Sequence, residues 1–142
     1  MPEEYQVISQ LSESQKDDLL GLYKNEFWCS DRRREDIDKV LANSDIVIGV
    51  ENNTDARLIG FCRILTDYIY KAVVYDVIVH PEFRSRQLGK LLMDSVIHHP
   101  DLSEVGHFDL NCLPHMVKFY RRWGFTDELG ELKFMRRNNP SR

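Results

Sequence analysis

The residues with the clearest chemical purpose lie between His80 and Lys90, where His-Pro-Glu-Phe-Arg-Ser-Arg-Gln-Leu-Gly-Lys sets Arg84, Arg86 and Lys90 around the start of a helix. A helix N-terminus presents unpaired N–H groups and a partial positive charge, so three cations beside it make an anion site, and a diphosphate is its natural guest. Two familiar nucleotide sites are excluded. The chain has no Gly-x-Gly-x-x-Gly, and Gly89-Lys90 is followed by Leu91 where a nucleoside-triphosphate loop needs Ser or Thr. Upstream, Asp76 stands in an otherwise apolar run, where a carboxylate is costly to bury unless it is paired or used. Cys112 has no evident His and acid partners that would make it a nucleophile. His98-His99 are adjacent in a helix and point two ways, unlike an i, i+4 ligand pair, and His80, His107 and His115 form no pattern, so no metal is expected.

These residues need a sheet and helices to position them. Tyr5 to Ile8 reads as a first strand. Ser12 with Gln15 makes a capping box ahead of Leu19, Leu20, Tyr23 and Phe27 at helical spacing, and Asp31 is a plausible cap for a second helix carrying Ile37, Val40 and Leu41. Ile46 to Val50 and Leu58 to Leu65 form a hairpin across Glu51-Asn52-Asn53-Thr54-Asp55, and Ala72 to Val79 follows as a third long strand. Leu88, Leu91, Leu92 and Val96 mark a helix that Pro100 ends, and Val105 to Leu110 returns as a strand, which predicts a right-handed crossover between parallel strands. Val117, Phe119, Tyr120 and Trp123 predict a helix stopped by Gly124, and Leu132 to Met135 a last strand. The order β-α-α-β-β-β-α-β-α-β describes an α/β protein with a mixed sheet flanked by helices. In such a sheet, ligands sit beyond the carboxyl ends of the parallel strands, which points to Val77 to Lys90.

At 142 residues, with 42% hydrophobic and 30% charged residues, the chain suits a single domain over 1–142 with a genuine core. The charge is −4, from 19 basic and 23 acidic residues, so no overall field draws the protein to nucleic acid. Arg32-Arg33-Arg34 reads as a solvated face at a helix start. No apolar run approaches the ~18 residues of a membrane span, and Met1-Pro2-Glu3-Glu4 lacks a signal-peptide pattern, so a cytoplasmic protein with no membrane partner is expected. Cys29, Cys62 and Cys112 read as free thiols.

Two stretches carry a resemblance. Asp76-Val77-Ile78-Val79-His80-Pro81-Glu82-Phe83-Arg84-Ser85-Arg86-Gln87-Leu88-Gly89-Lys90-Leu91-Leu92 is similar to the strand, diphosphate loop and helix of the GNAT superfamily of acyl-CoA-dependent N-acetyltransferases. Phe119-Tyr120-Arg121-Arg122-Trp123-Gly124-Phe125 resembles that superfamily's late helix and the Gly-Phe entering its final strand. The loop departs from the family pattern in two places: Gln87 stands for its first Gly and Ser85 where Gly is frequent. A loop that binds phosphate through main-chain N–H groups uses Gly to reach φ > 0, so Gln87 takes an ordinary conformation or the loop is strained. The expected consequence is weaker coenzyme binding, with the three cations compensating.

The resemblance implies acetyl-CoA as co-substrate, with the main chain of Val77, Ile78 and Val79 on the pantetheine and thioester, and Arg84, Ser85, Arg86, Gln87, Leu88, Gly89 and Lys90 on the diphosphate. Asn111, where the two strands should part, either bonds the pantetheine arm or substrate, or caps the following helix. Tyr120 matches the family's frequent general acid, with aromatic packing as its alternative. Asp76 is the candidate base, with a salt bridge or cap as its alternative. Trp28, Asp67 and Tyr70 are expected on the acceptor side. The implied acceptor is a primary amine, first of a small molecule and second of a peptide or protein, attacked directly in a ternary complex. A non-catalytic acyl-CoA-binding module is the competing reading, and a homodimer is left open.

Overall fold

The computed structural model describes residues 4–140. Five strands form one sheet in the order β1 (Tyr5–Ile8), β2 (Ile46–Asn52), β3 (Leu58–Thr66), β4 (Lys71–Val79) and β5 (His107–Leu110). The first three pairings are antiparallel and β4/β5 is parallel, so the sheet is mixed. The helices are α1 (Glu13–Lys24), α2 (Arg34–Ala42), α3 (Leu88–Ile97) and α4 (Val117–Arg121). The chain forms two compact units, the first ending at Asn111 and the second beginning at Cys112. No described helix is long and apolar enough to cross a membrane.

In the first unit the capping box forms. Ser12 Oγ accepts from Gln15 N–H at 3.2 Å and Gln15 Oε1 accepts from Ser12 N–H at 3.0 Å, satisfying two donors at the start of α1. Gln15 Nε2 also donates to Glu51 at 2.6 Å and to the Ala56 carbonyl at 2.9 Å, tying α1 to the β2–β3 turn. Two cores result. Leu88, Leu92 and Val96 of α3 pack with Ile48, Ile59, Cys62, Ala72 and Val74 on one side, and Leu19, Leu22, Tyr23 and Ile37 of α1 and α2 pack with Leu58, Phe61 and Ile78 on the other.

A break in alternation along β4 decides where the site forms. Ala72, Val74 and Ile78 are spaced by even numbers, which in a regular strand puts them on one face, yet Ile78 packs with α1 and α2 while Val77 and Val79 join the α3 side. The cause is a β-bulge. Arg63 faces Tyr75 and Phe61 faces Ile78, so Asp76 and Val77 share the space opposite Cys62, and Asp76 sits at φ 57. The β4/β5 ladder runs from Lys71↔His107 to Val74↔Leu110 and stops immediately before the bulge.

The structure corrects several expectations in detail. Helix α1 ends at Lys24, so Phe27 lies beyond it and is 74% exposed. Helix α2 begins at Arg34 with Arg33 at the cap position and no side-chain cap bond, so Asp31 does not cap it. In the second unit α4 covers only Val117–Arg121, then tightens through Trp123 N–H to Tyr120 O (3.1 Å) and Gly124 N–H to Arg121 O (3.0 Å), with Gly124 left-handed at φ 89 ending it. Leu132 to Met135 do not form the expected last strand. So short a run is stable only against a paired neighbour, none of the described pairings includes it, and Leu132, Phe134 and Met135 stay exposed.

Leu92 is fully buried where α3 meets the sheet. Leu92→Ala should lower unfolding free energy by about 2–5 kcal/mol, measured by urea denaturation, through lost apolar contact and a residual cavity.

Candidate active site

Beyond Val74 the β4/β5 ladder stops and, among the described residues, no strand pairs with that side of β4, so an extended ligand could bond main-chain groups along Tyr75 to Val79. Val77, Ile78 and Val79 lie on this stretch of β4, beyond the end of the ladder with β5. Asn111, exposed, directly follows Leu110, the last paired residue of β5, and so marks the point of parting.

From this edge the chain passes through a short turn, Pro81–Phe83, to the start of α3. Ser85 and Gln87 both adopt left-handed backbone, at φ 73 and φ 62, so the loop takes the strained alternative that a Gly would relieve. The first intrahelical bond closes from Leu91 N–H to Gln87 O at 3.1 Å, which leaves the N–H groups of Leu88, Gly89 and Lys90 ahead of it outside the helix's own ladder. A cavity of about 500 Å³ is lined by Glu4 and Tyr5 together with Ser85, Arg86 and Gln87 of this loop. The three cations are held in place. Arg84 donates to Glu26 at 2.8 Å and to the Val79 carbonyl at 3.3 Å, Arg86 donates to the Tyr5 hydroxyl at 3.1 Å and lies over the Phe83 ring, and Lys90 reaches Asp94 at 2.6 Å. Such exposed pairs are weak, so a phosphate can compete for these side chains.

Asp76 and Gln15 are the buried polar residues among those described. The Asp76 side chain is 3% exposed, and Oδ2 accepts from Tyr23 Oη at 2.9 Å, Arg32 Nη1 at 2.7 Å and Arg63 Nε at 2.7 Å. Burial by itself raises the carboxyl, but the bonds and charges of Arg32 and Arg63 outweigh it and hold Asp76 below its usual range. An ionised, doubly paired carboxylate has little tendency to take a proton, so the salt-bridge alternative describes Asp76 better than a base. Arg32 thereby leaves the solvated face assigned to it. Arg33 and Arg34 do not, pairing with Asp36 and with Asp17 and Glu13 at the surface.

The acceptor-side candidates separate. Trp28, 43% exposed, adjoins Cys29, whose thiol donates to the Tyr23 carbonyl at 3.4 Å, so it lies on the segment that also delivers Arg32 to Asp76. Asp67 and Tyr70 belong to the β3–β4 turn, at the closed end of the β4/β5 pair, where the Tyr70 carbonyl accepts from His107 N–H at 3.1 Å. Six extended steps along the chain, roughly 20 Å at ~3.3 Å each, separate Tyr70 from Asp76. Asp67 Oδ1 is engaged in its own turn, accepting from the N–H groups of Ile69, Tyr70 and Lys71 at 2.9, 2.7 and 3.2 Å, and these bonds lower its carboxyl pKa. The sequence did not point to Arg63 or Tyr23 as partners of Asp76. A buried aspartate in an apolar strand implies cationic partners, but nothing local says which ones.

In the second unit Tyr120 is buried, its ring edge-on to Phe119 at 5.0 Å and Phe125 at 6.1 Å. Cys112 is exposed, and partial desolvation with the Asp127 charge push its thiol up, away from a reactive thiolate. His80 and His99 cap short turns, accepting from the Glu82 and Asp101 N–H groups at 3.1 Å each. Among the described residues no group of three or more His, Cys, Asp or Glu could hold a metal ion.

Comparison with known proteins bears on the fold and the family. The family model of the acetyltransferase (GNAT) domain matches residues 43–127. The uncharacterised N-acetyltransferase ycf52 of Porphyra purpurea is 30% identical over 123 residues, covering 82% of this chain and 71% of its own. Histone acetyltransferase TAP1 of Glycine max is 33% identical over 87 residues, covering 61% of this chain and 35% of its own. A solved Xanthomonas campestris pv. campestris structure assigned to the GNAT family superposes with a TM-score of 0.77 at 31% identity, over 95% of this chain and 94% of the other.

Asp76→Asn strips the counter-charge from Arg32 and Arg63 and should cost about 3–5 kcal/mol of stability near neutral pH. Because the folded carboxyl pKa is depressed, that advantage of the wild type is fully present above the unfolded value of ~3.9 and is lost as pH falls through the folded value. Urea unfolding of both proteins should therefore show a constant gap from about pH 5 to 8 that narrows only below about pH 4. A gap that closes between pH 5 and 7 would contradict the ion-pair geometry. At the loop, Gln87→Gly should leave stability unchanged or raise it by up to ~1 kcal/mol, and Gln87→Val should lower it, because glycine accepts left-handed backbone freely, glutamine at a cost and a β-branched residue at a greater one.

Proposed function

Because the chain belongs to the GNAT superfamily of N-acetyltransferases, and is an acetyltransferase on that ground, we propose that it transfers the acetyl group of acetyl-CoA to a primary amine of a small molecule, by direct attack in a ternary complex. The observation that carries this reading is the parted edge of β4, unpaired beyond Val74 and leading straight into the start of α3. A pantetheine arm is a chain of amides, and such an edge offers it strand-like hydrogen bonds through Val77, Ile78 and Val79. The diphosphate then falls to the N–H groups of Leu88, Gly89 and Lys90 and to Arg84, Ser85, Arg86 and Gln87, with Asn111 beside the arm.

The reaction requires a neutral amine at the thioester carbonyl, a donor for the oxyanion and relief of charge on the departing sulfur. Main-chain N–H groups of the parted edge serve as the donor. We assign removal of the ammonium proton to water rather than to Asp76, which the two arginines keep ionised. Tyr120 is assigned to the leaving thiolate, on the family resemblance and on the capacity of a phenol O–H to bond sulfur more strongly as its charge grows. Trp28 lies on the acceptor side, and Asp67 and Tyr70 take no part in the proposal.

A lysine of a protein is the second acceptor class, favoured by the similarity to a relative named as a histone acetyltransferase. Coenzyme-thiol release measured across small amines and lysine-containing peptides separates the two, and release with none of them, in protein that binds acetyl-CoA, would favour a binding module. Tyr120→Phe keeps the ring and its packing, so kcat should fall about 10-fold to 100-fold while coenzyme affinity and Tm stay nearly constant. An unchanged kcat where chemistry limits the rate would return Tyr120 to packing alone. Saturating acetyl-CoA should raise Tm, and Arg84→Ala with Arg86→Ala should diminish that shift.

A further inference from the structure

The bulge in β4 is an unusual feature to find held by a charged residue. Asp76 occupies left-handed backbone inside a strand, a conformation an aspartate tolerates but does not impose, and the neighbouring residues Val74, Tyr75, Val77 and Ile78 all favour regular extended backbone. Something beyond local preference must therefore keep the strand from straightening. The candidates are visible in the contacts of one atom. Asp76 Oδ2 receives Tyr23 Oη from α1, Arg32 Nη1 from the α1–α2 connection and Arg63 Nε from β3, at 2.9, 2.7 and 2.7 Å. Three elements converge on the residue whose backbone makes the bulge. Aromatic rings brace the two arginines, since Arg32 lies 4.5 Å from the Tyr23 ring centroid and Arg63 lies 5.0 Å from that of Tyr75.

A straight β4 would move Asp76 away from these donors. In a strand without the bulge, residue 76 shares the face of Ala72 and Val74 and points into the apolar core beneath α3. There the carboxylate would be buried without a cation, which is prohibitive, and two arginines would lose their anion. The charge thus selects the bulged strand over the regular one. The bulge in turn coincides with the end of the β4/β5 ladder at Val74 and Leu110.

We propose that Asp76 is a positioning residue: clamped by Tyr23, Arg32 and Arg63, it locks the β4 bulge, keeps the Tyr75 to Val79 edge parted from β5, and so holds the main chain ready for the acyl thioester. The last clause rests on the functional reading above, whereas the lock itself does not. The clamp also couples the two sides of the site. Arg32 lies four residues after Trp28, so the segment expected to meet the acceptor is fastened to the strand expected to hold the thioester.

Asp76→Asn threatens the whole fold, so the test uses two milder variants, Tyr23→Phe and Arg32→Gln, each leaving Asp76 paired with Arg63. Hydrogen exchange of the free protein, read by mass spectrometry, should quicken by about tenfold or more over Tyr75 to Val79 while the amides of α3 keep their protection. Arg32→Lys, which restores a cation, should recover part of that protection. In the same variants acetyl-CoA affinity should weaken by about tenfold and kcat should fall, with the KM of whichever amine the wild type accepts changing less. Unchanged exchange over Tyr75 to Val79, or an increase spread evenly through the first unit, would overturn the lock. Quickened exchange at this edge with unaltered acetyl-CoA affinity would overturn its part in binding. A wild-type protein that binds no acetyl-CoA would instead overturn the functional reading, and the exchange data would still decide the lock.

Discussion

A carboxylate cannot be buried among strands without an opposite charge close by, and in this protein that requirement organises the centre of the first unit. Asp76 lies in β4 with almost no exposed side-chain surface, and its negative charge is met by Arg32 and Arg63 and by the Tyr23 hydroxyl. Each partner comes from a different stretch of chain. The α1–α2 connection, β3 and β4 are therefore held in one register, and β4 is bent at the residue that bears the charge. The change of face between Val74 and Ile78 and the end of the β4/β5 ladder occur at that same point.

The loop after β4 illustrates a different economy. Family-like loops reach left-handed backbone with glycine, and here Ser85 and Gln87 reach it with side chains. A non-glycine residue at φ near 60° carries a cost on the order of 1 kcal/mol, which the surrounding contacts must offset. Arg84 bonds the Val79 carbonyl and Glu26, and Arg86 bonds Tyr5 and covers Phe83, so side chains on either side of the strained residues are tied down. The loop is pre-shaped by tethers instead of by glycine, and the same tethers are groups that a diphosphate would engage.

The burial of the two cysteines in the first unit fits this arrangement. Burial pushes the Cys29 thiol up to about 11 and the Cys62 thiol up to about 12, so both stay neutral and behave as small apolar groups beside the ion cluster. With Asp76 ionised and both thiols protonated, none of the three is poised to take up a proton, and the neighbouring segment around Phe27 and Trp28 is exposed.

Most of the scaffold was legible in the residues themselves. The capping box at Ser12 and Gln15, the hydrophobic stripe of Leu88, Leu92 and Val96, and the β-branched runs at Ile46, Leu58 and Ala72 are local signals, and local physics is enough to read them. The cations at Arg84, Arg86 and Lys90 were likewise legible beside a helix start, and α3 does begin at Leu88. What tertiary structure alone decided is where side chains meet across the chain. Alternation assigns residue 76 to the face of Ala72 and Val74, and only the pairing of β3 with β4 inserts the bulge that turns it to the other. Arg32 looked like part of a surface charge run because its partner lies 44 residues away. Leu132 to Met135 had the composition of a strand, yet composition does not supply a ladder to join. Periodicity and capping act within a few residues and are written in the sequence, whereas ion pairing, register and strand partnership depend on which distant segments the fold brings together.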